Sequence, residues 1–294
     1  MKKMNLQGFE YYLKSENFRE STIAEHIRNI ERFEKWANEN KLTGVEMITY
    51  SELLGYVQDL QKKALNVATI NIRLCSLRKY YDHLKHEGMT EKNPAKRLFI
   101  KGAIKKVTTD ALSYADLESL YNDYAHYCDT RKLREQKHSK VALKRKVIAG
   151  MMIFQGLHGG ELLRLEVCHI NTAKGLIFVP GAARAKEREL QLSPVQIIAL
   201  YHYLNGLPAQ QEKLFDCTLH NQVHQIICEL KGINPRVQNC QHIRSSVILH
   251  WLRMYGKRQV QYMMGHKYIG STEHYQQQEL ETLTGALEKH HPFG

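Results

Sequence analysis

Residues 66–86 read NVATINIRLCSLRKYYDHLKH, and their apolar spacing sets the reading of the first hundred residues. Ile70, Leu74, Leu77, Tyr81 and Leu84 step by 4, 3, 4 and 3, the period of a single helix face. Working outward, Ile23, Ile27, Ile30, Phe33 and Trp36 draw the same stripe over residues 21–40, with Ser21 and Thr22 as N-cap candidates. Leu53, Leu54, Val57 and Leu60 mark a helix over residues 51–63, and a shorter one over residues 6–14 completes a four-helix bundle. The polar side of the 66–86 helix carries Asn71, Arg73, Arg78 and Lys79. Such a face is either solvated or tracks phosphates.

The surrounding chain has 294 residues, of which 43% are apolar, enough for two domains with ordinary cores and too many for a disordered polymer. Lys and Arg number 42 against 30 Asp and Glu, a net charge of +12 that suits a polyanionic partner, most simply nucleic acid. The longest apolar stretch, VIAGMMIFQGL over residues 147–157, contains Gly and Gln and is too short to span a membrane. The opening MKKMNLQGFEYYLKSENF lacks the apolar block of a secretory signal, so a cytoplasmic location is expected. Six cysteines without a CxxC pair fit free thiols in a reducing compartment.

After Gly88 the periodicity lapses into a run with Pro94, Gly102 and the cations Lys92, Lys96, Arg97, Lys101, Lys105 and Lys106, the composition of a basic linker. The expected division is a helical domain over 1–100, a linker over 101–111 and a second domain over 112–294. Ser113 and Asp116 signal an N-cap at the start of the second domain. The basic stretch 131–146 reads as a loop leading into a helix that ends near Ile153. Short strands over 175–180 and 189–192 flank a hairpin with a basic tip, and helical patterns resume over 194–204, 219–230, 242–255 and 280–287. The expected fold class is mainly α: an N-terminal helical bundle, then a mostly helical domain with a small antiparallel β insertion.

Four spaced segments of the second domain carry a resemblance. They are Gly156-Leu157-His158-Gly159-Gly160-Glu161-Leu162-Leu163-Arg164-Leu165, the hairpin ending in Lys186-Glu187-Arg188, Gln241-His242-Ile243-Arg244-Ser245-Ser246, and Met264-Gly265-His266 with Tyr275 nine residues beyond the histidine. In this order they resemble the boxes of the tyrosine recombinase, or phage integrase, superfamily, and residues 68–81 are similar to its core-binding domain. The resemblance implies DNA breakage and rejoining without metal or cofactor. A tyrosine attacks a backbone phosphate, leaves a 3′-phosphotyrosine and a 5′-hydroxyl, and a partner strand's hydroxyl reverses the step. Such chemistry needs fixed cations and donors around the developing phosphorane charge, and proton transfer at a phenol of ordinary pKa about 10 and at the leaving oxygen.

Carried over residue by residue, the resemblance makes Tyr275 the nucleophile, Arg244 a two-toothed phosphate ligand and His266 a donor to a non-bridging oxygen. Three positions depart from the family pattern. His158 stands where the first arginine is expected and offers one donor in place of a fork. Gln241 replaces a histidine and cannot transfer protons, while the adjacent His242 lies about 100° around the helix. The hairpin lysine position falls on Ala183, leaving Arg184 and Lys186 as the nearest cations, with Lys186 the better acid. DNA binding is expected from Arg73, Arg78, Lys79, Lys101, Lys105, Lys106 and Arg184. Double-stranded DNA is the implied partner, with self-association into a tetramer on DNA and a C-terminal helix over 280–287 that packs on its own domain or on a neighbouring protomer.

Two other readings compete. The altered set could leave a DNA-binding or architectural protein that no longer cuts. Separately, Cys217, His220, His224 and Cys228 share helical spacing that would suit zinc, or else a stripe turned to the core or a neighbouring loop. P-loop, Rossmann, HExxH and GxSxG signatures are missing from the sequence, so nucleotide and serine hydrolysis have no support.

Overall fold

In a computed structural model, residues 5–42, 44, 47–102, 110–134, 139–182 and 185–277 are described. The chain divides into two compact units, Met1–Lys106 and Val107–Gly294. In the first, helices α1 (Leu6–Ser15), α2 (Glu20–Glu39), α3 (Tyr50–Lys62) and α4 (Val67–His86) enclose one apolar core. Most of the stripes read from spacing are buried: Ile23, Ile30, Phe33 and Trp36 from α2 meet Leu53, Val57, Ile70, Leu74 and Leu77. Ile27 is half-buried, and Leu54 is 38% exposed because adjacent Leu53 and Leu54 cannot both face the core of one helix. Asn66 caps α4 by accepting the Ala68 N–H, and Thr49 and Glu52 form a capping box on α3.

Two local expectations change. α2 begins at Glu20 with Arg19 as N-cap and no side-chain cap bond, so Ser21 and Thr22 lie inside the first turn. α4 also buries Ser76, Tyr80 and His83, leaving a polar face narrower than the spacing suggested. Arg73, Arg78 and Lys79 are accordingly half-buried, and the Lys79 ammonium sits 5.3 Å from the Phe18 ring centroid.

His26 and His83 are buried in this unit, His26 with Nδ1 2.8 Å from the Ser76 hydroxyl and His83 among the rings of Phe9, Tyr12 and Tyr80. Burial lowers the pKa of both, and the Lys79 charge adds to the effect at His26. A histidine harder to protonate folded than unfolded leaves stability intact above about pH 6.5. As pH falls from there through the folded values, the unfolded chain binds protons first and stability is lost. The urea midpoint reported by Trp36 fluorescence, in a Trp251→Phe background, is therefore expected to drop between pH 7 and pH 5, and to drop less in His83→Phe.

The second unit is built around α6 (Ser139–Phe154), which packs against α5 (Tyr114–Arg134), α8 (Pro194–Asn205), α9 (Leu219–Ile233) and α10 (Cys240–Met254). Ser113 and Asp116 exchange the two hydrogen bonds of a capping box at the head of α5. Of the loop expected over 131–146, residues 131–134 are the end of α5 and 139–146 the first half of α6, both rich in helix-forming Lys, Arg and Leu without Gly or Pro, while 135–138 lie outside the described residues. Between α6 and α8 lie a four-residue helix α7 (Gly159–Leu162), a 3₁₀ turn (Val167–His169) and a small antiparallel sheet in the order β1-β2-β3.

Strands β2 (Leu176–Val179) and β3 (Arg188–Gln191) form the expected hairpin, paired Leu176 to Gln191 and Val179 to Arg188. The two-residue strand β1 (Ile170–Asn171) joins its edge and was not foreseen. Helix α11 (Lys257–Met264) and a helical segment over 270–277 follow α10. Residues 280–287 lie outside the described residues. Among the described residues, no helix is long and apolar enough to cross a membrane.

Candidate active site

The carboxylate of Glu161, with no exposed surface, is the centre from which the site is built. α7 starts at His158, whose Nδ1 accepts the Glu161 N–H at 3.0 Å while the Glu161 carboxylate accepts the His158 N–H at 3.1 Å. This reciprocal cap turns the acid inward. There it receives two guanidiniums, Arg244 from α10 and Arg188 from β3, each at 2.7 Å and on separate oxygens. Burial alone would raise the carboxyl's pKa; the two arginines outweigh it and hold the group below its ordinary value.

Both arginines also tie down the turn that follows α11. Arg244 donates to the carbonyls of Gly156 and Met264, and Arg188 donates through Nε to the Met263 carbonyl. Arg188 is 1% exposed and its Nη1 has no hydrogen-bond partner. The turn ends in Gly265, which has φ +67° and caps α11. The hairpin closes over it, with the Lys186 N–H donating to the Gly265 carbonyl at 2.9 Å and Ala185 bridging to His266.

His266 is thereby presented to Tyr275. The two rings lie parallel, 4° apart in orientation with centroids at 6.2 Å. Nδ1 of His266 is 2.9 Å from the hydroxyl of Thr272, a fully buried residue. Burial first, and then the charges of Arg244 and Arg188, push the His266 pKa down to about 4, so the ring is neutral at physiological pH. The Tyr275 hydroxyl accepts a hydrogen bond from the Gln241 amide at 2.9 Å. Gln241, which holds the phenol, and Arg244 are three apart on α10 and share one face.

The structure thus gathers Tyr275, His266, Gln241 and Arg244, with His158 on the same α7 cap that orders Glu161. His158 has 47% of its side chain exposed, and because Nδ1 accepts a backbone N–H, the neutral ring carries its proton on Nε2, facing outward. Lys186 is exposed at the base of the hairpin tip, while Ala183, Arg184, Lys105 and Lys106 lie outside the described residues. Lys101 is exposed at the end of the first unit.

His242 is not brought to the tyrosine. The first turn of α10 is regular, capped by Asn239, so the residue after Gln241 points elsewhere: His242 is buried with Nε2 2.7 Å from the Asp110 carbonyl. Its role is to hold the segment entering α5, together with Arg236, which bonds to Asp110, Asp116 and the Ala111 carbonyl.

Arg188 and Thr272 were missed by sequence reasoning. Arg188 did carry a signal, since strand alternation from Leu190 and Leu192 turns position 188 inward as well. The suggested zinc stripe is exposed on α9, with Cys228 Sγ 3.8 Å from His224 Nδ1, and so faces neither core nor loop. Another trio, Glu166, Cys168 and His169, brings donor atoms within 4.8 Å of one another. Its members are already engaged: Glu166 pairs with Lys213, and His169 Nδ1 accepts the Glu166 N–H. That bond leaves the ring proton on Nε2, where a cation would need a bare nitrogen.

Comparison with known proteins bears on the same arrangement. Residues 6–88 match the family model for the phage integrase N-terminal SAM-like domain. Tyrosine recombinase XerC of Escherichia coli O127:H6 (strain E2348/69 / EPEC) is 23% identical over 282 residues, covering 92% of this chain and 90% of that protein. XerC of Escherichia coli K12 (strain DH10B) is 22% identical over the same length and coverage.

Among solved structures, XerH site-specific recombinase bound to difH aligns with a TM-score of 0.65 at 17% identity, over 86% of this chain and 76% of that one. A lambda integrase (75–356) dimer bound to a COC' core site aligns with a TM-score of 0.64 at 15% identity, over 90% and 94%. At these identities the structural likeness speaks for the fold, and the sequence match for descent across nearly the whole length. By both, the chain is similar to tyrosine recombinases, in fold and along 92% of its length, and its first unit matches the phage integrase N-terminal model.

Proposed function

We propose that this chain is a site-specific recombinase that breaks and rejoins double-stranded DNA through Tyr275. The observation that carries the reading is the position of the phenol: hydrogen-bonded to Gln241, which lies one helical turn from Arg244, with its ring parallel to that of His266. Tyr275 Oη attacks phosphorus and gives its proton to solvent, the bond to O5′ breaks, and that oxygen takes a proton and leaves as a hydroxyl; Oη becomes linked to the 3′-phosphate. Attack by a partner 5′-hydroxyl forms the new phosphodiester and releases the phenol. The covalent intermediate keeps the bond energy, so no nucleotide is consumed.

Gln241 has a role of its own here. Its amide cannot exchange protons, but an N–H aimed at Oη stabilises negative charge on that oxygen both as it attacks and as it leaves. Arg244 neutralises and binds the non-bridging oxygens, His266 donates a hydrogen bond to one of them, and His158 supplies an Nε2–H donor in place of a fork. Lys186, an exposed cation of the hairpin whose backbone N–H is bonded to the Gly265 carbonyl, takes the part of acid toward O5′. The helical unit and the catalytic unit both contact DNA, and protomers associate on it; the XerH structure is named as bound to its difH substrate and the lambda integrase structure as a dimer bound to a core site. Action on DNA fits a cytoplasmic location.

A nicked suicide duplex separates cutting from binding. Wild type is expected to yield a covalent protein–DNA band on a denaturing gel, and Tyr275→Phe none, with DNA affinity retained. Retarded DNA without any adduct from wild type would favour the non-cutting, architectural reading.

A further inference from the structure

We propose that Thr272 is a positioning residue for strand cleavage: its hydroxyl donates to Nδ1 of His266 and so fixes the ring as the Nε2–H tautomer, which presents one N–H to the scissile phosphate. The proposal rests on the recombinase reading above.

A neutral imidazole carries one proton, and the partner of one nitrogen decides the state of the other. Every part of His266 except Nε2 is held. Its N–H donates to the Gln261 carbonyl at 2.9 Å, and its own carbonyl accepts from the Gln261 amide at 3.1 Å. One ring face lies against Tyr275, and Nδ1 meets Thr272. The low pKa of the ring, about 4, means that a single proton is to be placed at neutral pH.

A hydroxyl can donate or accept, so what faces Nε2 chooses the direction. An anionic phosphate, and still more the phosphorane formed from it, favours N–H there, and the hydroxyl then donates to Nδ1. Other residue types would fail at this position. A carboxylate would demand an N–H from Nδ1 and draw a second proton onto the ring. A carbonyl would hold Nδ1–H and leave Nε2 bare, aiming a lone pair at an anion. Thr272 also precedes Tyr275 by three residues within 270–277, so one helix face carries both the nucleophile and the group that orients its neighbour.

The test uses the full chain. Thr272→Val removes the hydroxyl at nearly constant volume, and Thr272→Ser keeps it. With the suicide duplex, Thr272→Val is expected to form adduct roughly 10- to 100-fold more slowly at unchanged DNA affinity, with Thr272→Ser restoring the rate. Imidazole ¹⁵N resonances of wild type bound to DNA are expected to report protonation at Nε2, and a mixture of tautomers in Thr272→Val.

Wild-type cleavage by Thr272→Val, or an Nδ1-protonated His266 in DNA-bound wild type, would overturn the proposal. Should wild type form no adduct at all, the recombinase reading fails, while the ¹⁵N measurement still decides which way the Thr272 hydroxyl points.

Discussion

Glu161→Gln is expected to destabilise the second unit by about 3–5 kcal/mol, the largest effect of any single substitution considered. The carboxylate has no exposed surface and divides its oxygens between Arg188 and Arg244, themselves 1% and 7% exposed. Removing its charge leaves two cations in a dry interior facing an amide whose NH₂ repels one of them. The buried pair need not be strongly favourable for this to hold, because the cost comes from the ions left uncompensated.

Urea denaturation followed by Trp251 fluorescence measures it; a loss below about 1 kcal/mol would mean that water already screens the cluster. Adding Arg188→Met to Glu161→Gln should recover part of the loss, since the two residues are coupled. The pH dependence follows in sign. A carboxyl held below its ordinary value contributes fully above about pH 4.3, and that contribution is lost as pH falls through the folded value.

Gly265→Ala is expected to cost about 3 kcal/mol or more and to slow adduct formation with it, through two terms that act at one atom. The backbone at φ +67° is left-handed, a conformation that costs an L-residue with a Cβ about 1–2 kcal/mol. A Cβ there would also stand 2.5 Å from Arg188 Nη1 and 2.8 Å from the Lys186 carbonyl oxygen. The second contact cannot relax by rotating a side chain, because the Lys186 N–H is bonded to the Gly265 carbonyl in the same pairing. The hairpin has to lift off the turn, and His266 moves with it.

Gly265→Asn separates the terms, since asparagine tolerates the left-handed region but not the crowding. An asparagine variant as stable as wild type would show that the close approach is not maintained in solution.

Much of the fold was legible because it is local. Apolar residues three and four apart specify a helix whatever lies elsewhere, and α1 to α4 begin and end within a residue or two of their stripes. Alternation placed β2 and β3, and nine residues of spacing paired His266 with Tyr275. Signals failed where composition stood in for pattern: the basic residues 131–134 and 139–146 looked like loop and are helix, since lysine and arginine are as comfortable in a helix as in solvent.

The convergence of side chains was beyond the sequence. Glu161 meets Arg188 across 27 residues and Arg244 across 83, and Gln241 reaches Tyr275 across 34; no periodicity connects positions so far apart. Spacing could say that Gln241 and His242 differ by 100° around a helix, but not which of them faces the phenol. That choice was made by the regular first turn of α10, capped by Asn239, and by the Asp110 carbonyl that claims the His242 ring. The sequence by itself determined most of the helices, the hairpin and the choice of Tyr275 as the proposed nucleophile. Tertiary packing decided which charges surround that nucleophile, because a buried carboxylate selects its partners by proximity in space.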